Sequence, residues 1–450
     1  MEKTKSFNKV DIKTELPGPK AKEIIQRDEK FLARSTKTLP VVAARGYGCY
    51  VEDVDGNTFL DFSSGISTTN IGYSNDYIIS KVEDQLRRMW HFAGTDFYYK
   101  EQVDAAEALI NVMPGSKDKK VFYTNSGAES NEASIKFAKS YTKRPQFIGF
   151  IGGFHGRTMG ALGFTASKSV HHENFFPEML GVHHIPFPDP YRNPFNIDGY
   201  ENPDDLTNAV IDYLEEYVLD KYVPANNIAG ILVEPIQGEG GYVMPPKNFH
   251  QKLMKLANDN GILYIMDEVQ TGFGRTGTFF ASEYFGVDPD IMSVAKSIAS
   301  GIPMGASVVK SKYDFEKSGL HSNTFGGNIL ASVASMATIE EIKRKDMLKN
   351  SRETGSYLNK RLHELMDKYD KIGDVRGLGL MQAIDFVTDR RTKKYNKSLR
   401  NNVADRAYHK GLILLGAGES ALRFIPPLII KPEEIDDAIN ILDESIKESL

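Results

Sequence analysis

Apolar residues in the middle of this chain come in short, nearly continuous runs: VFYT (121–124), FIGFIG (147–152), GVHHIPF (181–187), IAGILVE (228–234), ILYIMDE (262–268) and IMSVAK (291–296). They do not alternate with polar residues, which predicts strands covered on both faces. Between several of them, as in 128–141 and 248–260, apolar residues return at three- and four-residue spacing, the pattern of a helix with one buried face. Strand and helix alternating in this way predict an α/β fold around a mostly parallel sheet. Upstream, 75–90 and 100–113 read as helices, and 41–62 as strands about the turn Asp55-Gly56-Asn57. The first 40 residues are polar and broken by Pro17-Gly18-Pro19, which predicts an N-terminal arm with one helix over 20–36. From about Asn328 the pattern changes to long helices, then GDVRGLGLMQAIDF (373–386), a helix, ALRFIPPLI (421–429) and a last helix. That change predicts a separate α+β region. The resulting division is 1–74 for the arm and part of a small domain, 75–327 for a large α/β domain, and 328–450 for the rest of the small one.

Composition narrows the classes. The chain has 450 residues, 41% of them apolar, and a net charge of −5 with no long basic block, so nothing points to nucleic acid. No apolar run approaches the roughly 18 residues of a membrane span, and MEKTKSFNKVDIKTEL has no apolar signal core. The single cysteine, Cys49, excludes an intrachain disulfide framework and cysteine metal clusters and is read as a small hydrophobe. A reducing, cytoplasmic setting fits.

The stretch ILYIMDEVQTGFGRTG (262–277) raises the first chemical question, because an apolar strand stops there on Asp267 and Glu268. A buried carboxylate must be paired or face a cleft. GFGRTG (272–277) matches the G-x-G-x-x-G string, yet acids stand between strand and glycines and would repel a pyrophosphate, so the dinucleotide reading is the weaker one. In open α/β sheets ligands gather at the carboxyl ends of strands. Those ends supply Ser126-Gly127-Ala128 at a helix start, Phe154-His155-Gly156-Arg157, Glu234, Asp267 with Gln270, and Lys296. The small-residue helix start suits an anion, though an ordinary N-cap reads the same way. Lys296 closes an apolar strand, where a lysine can be nucleophilic or simply structural. Taken together, a phosphate cup, a flat aromatic, a buried acid and a cleft lysine match the needs of pyridoxal 5′-phosphate.

The chain then resembles a known family, the class III pyridoxal-phosphate aminotransferases of fold type I. The resemblance rests on DVDGNTFLDFSSGI (53–66), TNSGAESNEASIKFA (124–138), FHGRT (154–158), EPIQGEGG (234–241), DEVQTGFGRTG (267–277), SVAKSIASGIPMGA (293–306), SNTFGGN (322–328) and RFIPPL (423–428), in the family's order. It removes the dinucleotide reading. It implies a large, mainly parallel seven-stranded sheet domain and a smaller α+β domain built from both termini. It implies that Lys296 forms the Schiff base, Asp267 pairs with the pyridine nitrogen and Gln270 bonds the 3-hydroxyl. Phe154 would stack on the ring, with Val269 below it, and the amides of Gly127 and Ala128 would bind the phosphate. Thr324 would reach the phosphate of the neighbouring subunit, which implies a homodimer with active sites at the interface, or a tetramer built from it. Arg157 would hold a carboxylate remote from the amine and Arg423 an α-carboxylate, with Glu234 as the acid that pairs with Arg423; His155 is taken as structural. The implied reaction moves an amino group from an ω-amino acid such as 4-aminobutyrate to 2-oxoglutarate. Amino-acid racemases, for which HHIPFPDPYR (183–192) is a further point of likeness, and ornithine or acetylornithine aminotransferases are the alternatives. The lone Cys49 leaves no place for the iron–sulfur cluster of the animal 4-aminobutyrate enzymes.

Overall fold

In a computed structural model, residues 7–450 are described; the first six residues of the N-terminal arm lie outside that range. The largest sheet has seven strands in the order Lys119–Thr124, Gly305–Lys310, Ile291–Val294, Leu263–Asp267, Ile228–Val233, Gln146–Phe150, Val182–Ile185. Every residue of Ile228–Val233, Leu263–Asp267 and Ile291–Val294 is buried, as continuous apolar runs require. All neighbouring strands are parallel except at Gly305–Lys310, which runs antiparallel to both of its neighbours. The six apolar runs did not include this strand. It opens on small residues because the helix Gly127–Thr142 lies close behind it: a Cβ at Gly305 would stand 2.5 Å from Ser130 Oγ and 2.6 Å from the Ser126 carbonyl.

The helices fall where the spacing puts them, at Asp76–Leu86, Lys100–Val112, Gly127–Thr142 and Phe249–Asp259. The arm helix is shorter than predicted, Pro19–Phe31, because the backbone turns extended at Leu32. The strands Ala43–Tyr47, Tyr50–Asp53 and Thr58–Asp61 form a second sheet whose fourth strand, Leu412–Ile413, comes from far down the chain. A third sheet joins Ile372–Leu378, Met381–Phe386, Ala421–Phe424 and Leu415–Ala417.

The glycine-rich turn after Leu263–Asp267 serves packing. Phe273 and Gly274 both have positive φ, at 56° and 89°, and a side chain on Gly274 would meet Leu428 at 2.7 Å. This turn aims the buried Arg275 at three separate segments, around 67–70, 380 and 426. It donates to the carbonyls of Leu380 (2.9 Å) and Pro426 (2.5 Å), to Asn70 Oδ1 (2.5 Å) and to Ser67 Oγ (3.3 Å). Burial lowers its pKa to about 10, a cost that so many acceptors offset.

Candidate functional site

The carboxyl ends of the central strands open into a cavity of about 840 Å³. Its lining includes Gly127, Ala128, Phe154, Arg157, Glu234, Asp267, Val269, Gln270, Lys296 and Arg423. Of the residues given a cofactor or substrate role from sequence, Thr324 alone does not line the cavity of its own chain; it is exposed.

Asp267 ends its strand at 4% exposure, so its carboxylate depends on protein partners. Asn131 Nδ2 and His155 Nδ1 each donate to Oδ2 at 2.8 Å, and the Val269 N–H donates to Oδ1 at 3.0 Å. Three donors leave room for one more on a carboxylate. The hydrogen bond assigns the His155 proton to Nδ1, while Nε2 is buried without a partner. His155 is therefore the support of Asp267, and Asn131 is a second support that sequence reasoning did not pick out.

Lys296 follows its strand with φ of 44° and begins the short turn Lys296–Ala299. Burial lowers its amine to about pKa 8, against the opposing pull of Asp267 and Glu234. It makes no hydrogen bond or ion pair among the described residues. Across the cavity the helix Gly127–Thr142 begins, capped by Ser126, whose Oγ accepts from the Glu129 N–H at 3.2 Å. Gly127 and Ala128 at its start line the cavity, where free helix-start amides suit an anion. Gly127 must be glycine because Val269 lies against it, with Cγ1 2.8 Å from where a Cβ would be. Gln270 is buried and its Oε1 has no partner. The guanidinium of the exposed Arg157 stands 5.8 Å from the Phe154 ring centroid.

One expected pairing is corrected. Glu234 does not pair with Arg423: it accepts the Phe154 N–H at 2.9 Å through Oε1 and the Gly238 N–H at 2.8 Å through Oε2. Burial, and then the nearby Asp267, push Glu234 up to about pKa 7 against the opposing effects of His155 and these N–H groups. The acid on Arg423 is Glu239, whose Oε2 accepts from Nη1 at 3.3 Å while Lys168 pairs with Oε1. Burial raises the Glu239 pKa, but Arg423 and Lys168 more than offset it and hold the group below its ordinary value. The backbone explains the exchange. Glu234 is spent bracing the turn that follows its strand, and that turn, with Gly241 at φ 126°, delivers Glu239 to the cavity. Both acids lie in EPIQGEGG, so the signal was present in the second one. Sequence reasoning also missed Lys168, Arg400 and the arm residues Thr36, Thr38 and Leu39, all of which line the cavity.

The profile of the family described as Aminotransferase class-III matches residues 31–446. Among curated relatives, an alanine/serine racemase of Pyrococcus horikoshii is 38% identical over 96% of this chain and 92% of its own. A 4-aminobutyrate aminotransferase of Mycobacterium leprae is 37% identical over 95% of this chain and 96% of its own. Among solved structures, an amine transaminase from an uncultivated Pseudomonas species, in its PLP-bound form, matches with a TM-score of 0.86 at 29% identity, covering 93% of this chain and 98% of that one.

Proposed function

The chain belongs to the class-III aminotransferase family, and from that premise we propose that it transfers an amino group from an ω-amino acid such as 4-aminobutyrate to 2-oxoglutarate. Its cofactor is pyridoxal 5′-phosphate. The cavity fits this group on its own terms: a buried amide oxygen on Gln270 without a partner, a buried acid with an open acceptor position, and a helix start kept free of side chain at Gly127. Bound there, the cofactor supplies an aldehyde for Schiff-base formation and a pyridinium ring that draws electron density from the carbon bearing nitrogen.

The residues divide the remaining work. Gly127 and Ala128, which line the cavity, would hold the phosphate with their amides, and Phe154 and Val269 would pack against the ring. Asp267, braced by Asn131, His155 and the Val269 N–H, would pair with the ring nitrogen. Gln270, whose Oε1 is buried without a partner, would bond the ring hydroxyl. Lys296, whose lowered pKa makes much of it neutral near pH 8, is the nucleophile, and its Nζ moves the proton at the substrate carbon. Thr324, exposed on its own chain, is assigned to the phosphate of a partner subunit in a homodimer.

The observation that carries the substrate reading is the shared acid Glu239. An ω-amino acid has no carboxylate beside its amine, so Arg423 stays with Glu239 and Arg157 takes the distant carboxylate. Glutamate or 2-oxoglutarate brings an α-carboxylate that displaces Glu239 from Arg423, and Lys168 retains the displaced acid. The test is to mix the purified holoenzyme with a panel of amino acids, with and without 2-oxoglutarate, and to resolve the products chirally. Amino transfer that requires the keto acid supports the reading. A second reading, racemisation of an α-amino acid, is favoured by the likeness to the alanine/serine racemase; it predicts loss of chirality with no keto acid present.

A further inference from the structure

Arg400 has no part in the mechanism above. It lies near the start of the helix Lys397–His409, is 8% exposed, and lines the same cavity as Lys296 and Arg423. Its hydrogen bonds go to neutral acceptors: Nε donates to Asn401 Oδ1 at 2.8 Å and Nη1 to the Ala421 carbonyl at 3.3 Å. Nη2 donates to nothing among the described residues, and no carboxylate there lies within ion-pair distance of the guanidinium. The buried Arg376 is different, with Asp374 at 2.7 Å and Asp385 at 3.1 Å. So is Arg275, which has no acid but spends all three of its nitrogens on protein oxygens or hydroxyls.

Room for Arg400 is written into the backbone. Gly416 pairs with Leu422 in the neighbouring strand, and a side chain at Gly416 would run into Arg400 Nη1. The guanidinium is thereby seated against the strand Ala421–Phe424, two residues from Arg423 at its Ala421 anchor. The acids that act on it at longer range are Glu239, Glu419 and Asp385; Glu239 is already shared by Arg423 and Lys168, and Asp385 by Arg192 and Arg376. A buried guanidinium with an open donor edge, facing a ligand cavity and lacking an acid, is complementary to an anion that arrives with the ligand.

We propose that Arg400 is a specificity-determining residue that holds the substrate's α-carboxylate jointly with Arg423. The inference rests on the reading of Arg423 as the α-carboxylate site. Amino and keto acids with a carboxylate beside the reacting carbon then meet two guanidiniums. An ω-amino acid, which leaves Arg423 to Glu239, does not call on Arg400.

The experiment uses holoenzyme whose bound-cofactor absorbance confirms loading. Half-reactions with glutamate, alanine and 4-aminobutyrate are followed in single turnovers, and binding of glutarate, which cannot react, is followed by calorimetry. Arg400→Gln is expected to weaken apparent binding of glutamate and alanine about tenfold more than that of 4-aminobutyrate, to weaken glutarate, and to change the saturating rates little. Arg400→Lys keeps the charge and loses the fork, and an intermediate loss is expected; it carries the test if the glutamine variant does not take up cofactor. Equal losses for all three amino acids, or none, overturn the proposal. Arg423→Ala is run in parallel. If it fails to discriminate as well, the α-carboxylate reading itself is wrong; if it discriminates while Arg400→Gln does not, only the role of Arg400 falls.

Discussion

At Asp267, Lys296 and Glu239 the chemistry is decided by which neighbours each side chain has been given. Asp267 has three donors and 4% exposure, so Asp267→Asn keeps the shape and removes the charge. Turnover should fall about a hundredfold or more, while cofactor affinity, measured by fluorescence titration, falls less. Near-normal turnover would exclude pairing with the ring nitrogen. Lys296 is testable without cofactor. Burial favours its neutral amine, so acylation of Lys296 in apo-protein, read by mass spectrometry, should titrate near pH 8 rather than at the ordinary 10.5. The sign for stability follows: between these two values the unfolded chain binds the proton and the folded one does not, so this group's contribution rises with pH across that window. Glu239→Gln removes the partner of Arg423 and should slow the 4-aminobutyrate half-reaction more than the glutamate one. Equal slowing in stopped-flow traces would remove the exchange of partners.

Elements were legible where one physical signal dominated. Continuous apolar runs marked six of the seven strands of the large sheet, because burial on both faces leaves no polar position to confuse the pattern. Gly305–Lys310 escaped because its first positions are small, a demand set by the helix behind it and not by strand propensity. The residues proposed to hold the cofactor stand at strand ends, where their order along the chain could be read. The acid on Arg423 could not, since choosing between Glu234 and Glu239 requires knowing how the intervening turn folds back. The helix Phe249–Asp259 offers a test of its own. His250, wholly buried, accepts from the Tyr264 hydroxyl at 2.8 Å and donates to the Pro235 carbonyl at 2.9 Å, and burial lowers its pKa to about 4. As pH falls from 6.5 to 4 the unfolded chain takes up this proton and the folded one refuses it, which costs roughly 3 kcal/mol of stability. His250→Gln should flatten the fall of the urea midpoint over that window, though it lowers the midpoint at neutral pH. An unchanged slope would mean that other groups set the acid limit.

For the whole molecule, the open question from sequence was Thr324, whose proposed role needs a second chain. Thr324 sits beside the exposed Phe325 on a surface where residues 90–97 and 321–328 pack together, through the ring contact of His91 with Phe325 and the hydrogen bond from Thr95 Oγ1 to the Asn323 carbonyl at 2.9 Å. Trp90, Phe97 and the adjoining Tyr98 are exposed there. Large apolar groups gathered in this way are what the proposed dimer would need to cover. If the dimer proposal holds, Thr324→Ala should weaken cofactor binding, and dilution should release cofactor as subunits part, both visible by combining sedimentation with cofactor absorbance. A fully active monomer would contradict it. Arg275 carries a different consequence, one of timing during synthesis. Its acceptors Ser67 and Asn70 leave the ribosome early, whereas the Leu380 and Pro426 carbonyls emerge long after Arg275 itself. Until then the guanidinium has no complete set of acceptors in a dry interior and the turn that bears it has no reason to close. A chain cut short before Pro426 should therefore be no partly working enzyme but an open, protease-sensitive one, so the cell meets this catalyst either whole or as waste.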